Sequence, residues 1–205
     1  MSDGNVQISP VGKLVYPYLN QPRQYQGKGK FAYDTALDVE GEEGETFARW
    51  IEEYAADYAK RVGKRSINIE SLVMPAIDRE KEEIANTLRF RFKIAVLETK
   101  QGTWDRKPAF YQADGTPYDP EPTIGGGTVA QIAFTIYEWQ SGPNRGMTLQ
   151  PEGILIHELV ERKGGIAVDR SWENLFAGKI KAAAPAATKA SSRKKADAPS
   201  AGADF

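Results

Sequence analysis

Polar and apolar residues alternate along several stretches of the chain, and each such stretch predicts a half-buried strand. Residues 11–19, "VGKLVYPYL", read as a strand, and the polar, basic, glycine-bearing residues 20–30 read as the loop that follows. In "FAYDTALDVEG" (31–41), Phe31, Tyr33, Thr35, Leu37 and Val39 share one face, while Asp34, Asp38 and Glu40 share the other. "TLRFRFKIAVLE" (87–98) alternates strictly. There Leu88, Phe90, Phe92, Ile94 and Val96 point one way, and Arg89, Arg91 and Lys93 point the other. Residues 125–139 and 146–161 read as two further strands joined by the turn "QSGPNRG".

One stretch has a different period. In residues 45–64, Phe47, Trp50, Ile51, Tyr54, Tyr58 and Val62 recur at spacings of three and four, which gives a single apolar stripe and predicts a helix packed on a sheet. Thr46 is placed to cap its start and Gly63 its end. Many strands and one good helix point to a small α+β domain or a barrel with an inserted helix. From Ser171 the character changes. "SWENLFAGKIK" holds Trp172, Leu175, Phe176 and Ile180, a short amphipathic segment at best, and 182–205 is low-complexity sequence with too little apolar content to build a core. The expected division is a domain over 1–170 and a flexible tail over 171–205. Residues 171–180 can pack on the domain, pair with a second copy in a homodimer, or stay loose.

The bulk numbers narrow the classes of function. The 205 residues suffice for one medium domain plus a tail, and a net charge of −1 means that any basic patch is local. With no cysteine, disulfide scaffolds, thiol catalysis and cysteine-based zinc sites are excluded, a composition that suits a reducing cytoplasm. No apolar run approaches the roughly 20 residues of a membrane span, and "MSDGNVQ" does not read as a signal peptide.

Three motifs dissolve on inspection. "HELVE" (157–161) lacks the second histidine of a zinc-protease helix, since His157 is the single histidine, and its surroundings alternate like a strand. "GGG" (125–127) is followed by strand formers and by no Lys-Ser/Thr, so it signals a bend or a close backbone approach and not a phosphate loop. Asp34, Asp38 and Glu40 can be imagined around magnesium in a metal-dependent nuclease, but one strand face of acids is better explained as a solvated outer face. No cofactor and no metal is expected.

The basic residues say more. Between Arg89 and Lys107, six basic residues (Arg89, Arg91, Lys93, Lys100, Arg106, Lys107) stand against two acids, and a face that needed only solubility would mix the signs. No acid lies between Asp3 and Asp34, where Lys13, Arg23, Lys28 and Lys30 occur. Aromatic residues are interleaved: Tyr16, Tyr18, Tyr25, Trp104, Phe110 and Tyr111. Cations that follow a backbone and flat rings that stack bases are the elements of sequence-tolerant binding to single strands. A basic sheet face with structural tyrosines fits the same pattern, and the residues alone leave both readings open, together with a barrel module that binds RNA or a protein.

Several pieces together carry a resemblance: "GKLVYPYLNQP" leading to "GKFAYDTALDVEG", a helix, "WDRKPAFYQADGTPYDPEPTIGGGTVAQIAFTIYEW", and "GMTLQPEGILIHELVE". Over residues 10–162 the chain resembles the single-stranded DNA-binding proteins of tailed bacteriophages, which are built on an OB-fold. The resemblance implies a five-stranded barrel with an inserted helix, here 46–62, and a disordered C-terminal tail. It also implies single-stranded DNA as partner, protection of transient single strands in replication and recombination, no chemistry, and residence in the cytoplasm of an infected bacterium. Arg89, Arg91 and Lys93 are the expected phosphate contacts, with Lys13, Arg23, Lys28, Lys30, Arg106 and Lys107 along the same groove. Tyr16, Tyr18, Tyr25, Trp104 and Tyr111 are the stacking candidates. The family's acidic tail, ending in an aromatic residue, docks on replication partners. The last ten residues here carry only Asp197, Asp204 and the terminal carboxylate, so docking on replication or recombination proteins is expected to rest on Asp204 and Phe205.

Overall fold

The long alternating segments find one another as antiparallel neighbours and curl into a ring around their shared apolar faces. The computed structural model describes residues 5–25, 30–100 and 102–162. Among these, the order is β1 (Gln7–Ile8), β2 (Gly12–Tyr25), β3 (Lys30–Glu40), α1 (Gly41–Arg61), β4 (Val73–Ile77), β5 (Glu83–Thr99), β6 (Gly102–Trp104), β7 (Ala109–Gln112), β8 (Val129–Ser141) and β9 (Asn144–Glu158). β2 pairs with β3, β3 with β5, β5 with β9, β9 with β8, and β8 with β2, so five strands close a circuit. All these pairings are antiparallel except β5–β9. This is the connectivity of a five-stranded OB-fold, with the helix inserted between its second and third strands. The ring is unevenly closed. β3 and β5 share ten consecutive pairs, whereas β5 and β9 meet at Phe92 and Leu149 alone, and β2 and β8 at two pairs.

The alternation decides what goes inside. Leu37, Val39, Phe90, Phe92, Ile132, Phe134, Leu149 and Ile154 point into the ring and are almost wholly buried. α1 closes the core with Phe47, Ile51, Ala55 and Tyr58. Phe47 lies 4.7 Å from Phe90 and 5.8 Å from Phe134, and Phe134 meets Phe92 edge-on at 5.4 Å. The helix is also tied to β8 by polar groups. Tyr54 donates to Glu138 at 2.8 Å, and Arg61 pairs with the same carboxylate at 2.5 Å. Burial pushes the Glu138 carboxyl upward, but the hydrogen bonds from Arg61 and Tyr54 outweigh it and hold it below its usual range.

Three expectations change, and β4 is added to them. Residues 20–25 are strand and not loop: Arg23, Gln24 and Tyr25 pair with Ala32, Phe31 and Lys30. This arm is largely outside the core, so it needs no apolar alternation and carries no such signal. α1 begins at Gly41, five residues before Thr46. Its N-cap, Glu40, makes no side-chain capping bond, and Glu42 and Glu43 in the first turn favour the positive end of the helix dipole. β4, too short and proline-bearing to show a period, adds itself along the edge of β5. The largest change concerns Asp34 and Asp38, expected on a solvated face: they are 4% and 9% exposed. The expected boundary at 170 and the tail beyond it lie outside the described residues.

Phe134 holds the strands and the helix to one another, since it touches rings from α1 and β5. Phe134→Ala is expected to cost about 3–5 kcal/mol, read as a lower urea midpoint with an unchanged slope.

Candidate nucleic-acid interface

The register of β3 against β5 sets opposite charges across from each other on the outer face of the ring. Asp38 faces Arg89 and Asp34 faces Lys93. Arg89 forks onto Asp38, with Nε and Nη2 donating to its two oxygens at 2.7 and 2.8 Å, and donates a third bond to the Ile77 carbonyl at 2.9 Å. Both side chains are about nine-tenths covered, 12% and 10% exposed. The hydrogen bond to Asp38 holds the Arg89 guanidinium in its charged form. Asp34 accepts two hydrogen bonds from Arg23, at 3.0 and 2.6 Å, and Arg91 stands 3.8 Å from the same oxygen. The acids are therefore buried because each completes an ion pair, and an unpaired carboxylate there would cost several kcal/mol.

Three concavities share residues on this face. One, of about 180 Å³, is lined by Tyr16, Arg23, Asp34, Met74, Arg89 and Arg91. A second, of about 310 Å³, continues from Arg91 to Lys93, Trp139 and Thr148. A third, of about 500 Å³, continues from Tyr16 and Arg89 to Arg79, the turn at 124–127 and Arg162. Arg91 joins the first to the second, and Tyr16 and Arg89 join the first to the third. The track runs from a bulge in β2, across β3–β5, to the β8–β9 hairpin.

Each aromatic on the track has a local cause. The β2–β3 register breaks between Val15 and Tyr18, and Tyr16 sits there with φ 49°, a left-handed conformation that costs a non-glycine residue on the order of 1–3 kcal/mol. The bulge turns its ring outward, 69% exposed. Tyr18 is half-buried beneath the Arg23 guanidinium, 4.8 Å from its ring centre. Trp139 faces Gly146 across the hairpin, where a Cβ would fall into the indole ring, so the absence of a side chain lets the indole lie flat there. Tyr137, two residues earlier on the same face, is 54% exposed.

The structure therefore brings together Tyr16, Tyr18, Arg23, Arg89, Arg91 and Lys93 from the residues singled out in the sequence. Lys13, Lys30, Arg106, Lys107 and Tyr111 line none of the three concavities. Lys13 pairs with Glu40 at 2.8 Å, and the hydrogen bond between them raises the lysine and lowers the carboxylate. Lys30 is exposed at the start of β3. Arg106 pairs with Glu152, Lys107 with Glu121, and Tyr111 is half-buried over Gly153. The backbones of Tyr25 and Trp104 pair with Lys30 and Leu97, while their side chains, together with Lys28, Asp204 and Phe205, lie outside what is described. Sequence reasoning missed Trp139, Arg79, Arg162 and Met74, which line the concavities, and Tyr137, which lines none of them but is exposed two residues from Trp139. For Trp139 and Tyr137 the signal was present, because the alternation of Ile132, Phe134 and Ile136 puts 137 and 139 on the outer face.

In an OB-fold, the second and third strands of the ring and the loops joining strands 1–2 and 4–5 bind oligonucleotides. Those strands are β3 and β5 here, and the 4–5 loop is the β8–β9 turn. No family model and no curated protein sequence matches the chain. Among solved structures, it is similar to gp2.5, a single-stranded DNA-binding protein encoded by bacteriophage T7, with a TM-score of 0.58 and 18% identity over 90% of this chain and 100% of that one. It is also similar to the single-stranded DNA-binding protein from bacteriophage Enc34 in complex with single-stranded DNA, with a TM-score of 0.59 and 12% identity over 78% of this chain and 89% of that one. The chain has the fold of these phage proteins. At such low identity the shared fold fixes the ring and its helix, not the side chains on the track.

Because the Arg89–Asp38 pair is buried, Asp38→Asn is expected to destabilise the protein by about 3–5 kcal/mol, seen as a lower melting temperature. Glu40→Gln, which breaks an exposed pair, is expected to leave that temperature almost unchanged.

Proposed function

We propose that the protein binds single-stranded DNA without sequence preference, protects it during phage replication and recombination, and carries out no chemistry on it. The observation that carries this reading is the track on the outer face of β3 and β5, where Arg91 and Lys93 lie beside Trp139 on the hairpin. A backbone would run along the cations while bases stack on the rings, and neither contact reads base identity. The similarity to the phage proteins above, one of them solved with single-stranded DNA, supports the same reading. The nuclease alternative loses its carboxylates: Asp34, Asp38 and Glu40 are engaged with Arg23, Arg89 and Lys13.

The protein would act in the cytoplasm of an infected bacterium, and Asp204 with Phe205 would dock on replication or recombination proteins. An apolar ring next to a carboxylate suits a small pocket rimmed by basic side chains. Deleting these two residues is expected to abolish capture of such partners while leaving DNA affinity nearly unchanged, compared by pull-down and gel shift on the same preparation.

The deciding experiment is a gel-shift competition among single-stranded DNA, duplex DNA and RNA of equal length at two salt concentrations. Single-stranded DNA is expected to win, and four to six phosphate contacts give a log–log salt slope of about −3 to −4. Trp139→Ala is expected to weaken binding of all sequences alike, by about 5- to 150-fold. If oligo-dT at low salt left tyrosine and tryptophan fluorescence unquenched, stacking on this track would be wrong.

A further inference from the structure

We propose that the 500 Å³ concavity between the β2 bulge and the 124–127 turn is a single-nucleotide subsite, with the base stacked on Tyr16 and its phosphate between Arg79 and Arg162. The inference rests on the single-strand reading above and adds to it a pocket that holds one nucleotide out of the path of the strand.

Four observations converge there. The volume lies within the range of about 300–1,000 Å³ that encloses small ligands. Arg79 and Arg162 are exposed, and among the described residues their side chains make no hydrogen bond or ion pair, unlike Arg89 beside them, which is tied to Asp38. The lining holds three guanidiniums against one carboxylate, Asp78, whose Oδ1 is occupied by the backbone N–H groups of Glu80 and Glu82 at 2.8 and 3.0 Å. Tyr16 is the exposed aromatic of the lining, held outward by a backbone conformation that a tyrosine does not choose for itself. An unfavourable conformation that displays a large apolar ring to solvent gains nothing for the fold and points to a ligand.

Gly125 fixes the far wall. A Cβ there would come within 2.8 Å of the Val160 carbonyl and the Arg162 amide. Without one, Gly125 donates to Val160 at 2.7 Å and Arg162 donates to the Thr123 carbonyl at 2.9 Å. These bonds pin the Arg162 backbone at the mouth of the cavity, opposite the bulge. A phosphate between two guanidiniums and a base on a phenol ring satisfy both kinds of lining at once.

The test pairs Tyr16→Gly and Arg79→Ala with two ligands, oligo-dT and an abasic strand of equal length. Glycine accepts the left-handed conformation, so Tyr16→Gly is expected to melt at or above the wild-type temperature while binding oligo-dT about 5- to 150-fold more weakly. Its affinity for the abasic strand should match wild type. Arg79→Ala is expected to weaken both ligands and to reduce the salt slope by about 0.7. Tyr16→Phe, which keeps the ring, is expected to bind as wild type does. If Tyr16→Gly bound oligo-dT normally, or weakened both ligands equally, the subsite would be overturned while the single-strand reading stood. Failure of the wild-type protein to bind oligo-dT would overturn both.

Discussion

The ladder of ten pairs between β3 and β5 is the constraint on which the other features depend. Side chains on a strand alternate, so one register puts Leu37, Val39, Phe90 and Phe92 inside the ring and Asp34, Asp38, Arg89 and Arg91 outside. A slip of one residue would drive four or more charges into the core and expose its largest rings. The ion pairs across the ladder add to this choice: with Asp38 opposite Arg89, the correct register pairs the charges and a shifted one strands them. The long apolar face fixes where the ring closes, and the helix then has a surface to cover.

The same pairing reshapes the electrostatics of the face. A row of three cations looks in isolation like a phosphate rail. In the folded protein Arg89 is consumed by Asp38, and Arg23 and Arg91 converge on Asp34. The charges of the face are therefore balanced within the protein, and a phosphate that approached it would compete with carboxylates already in place. Attraction would fall to groups whose partners are more distant or, among the described residues, absent, such as Arg91, 3.8 Å from its carboxylate, and the exposed Arg79 and Arg162. In the proposed function, stacking on Tyr16 and Trp139 would then contribute what charge alone does not, irrespective of sequence, because every base offers the same kind of face.

Glycine positions couple the scaffold to this surface. Gly146 leaves room for the indole of Trp139, and Gly125 lets the end of the described chain lie against the turn that walls the Tyr16 cavity. Neither contributes a side chain, yet each decides where a neighbouring side chain of this surface can be.

Much of the frame was legible because it rests on local periodicity. Period two marked β3, β5, β8 and β9, period three-to-four marked α1, and the turn residues marked the β8–β9 hairpin. The arm at 20–25, β4 and the true start of α1 were not legible, since their residues pair through backbone groups or lie outside the core and leave no apolar period. Charge was legible as composition but not as chemistry. The sequence alone determined which residues are basic and which face of each strand they occupy, because alternation is a property of the strand itself. Only the tertiary structure decided which of them are neutralised, by placing Asp34 and Asp38 across from them. It also decided which aromatics reach solvent, by a bulge at Tyr16 and a bare glycine under Trp139. Those outcomes depend on distances between residues far apart in the chain, and no local pattern contains them.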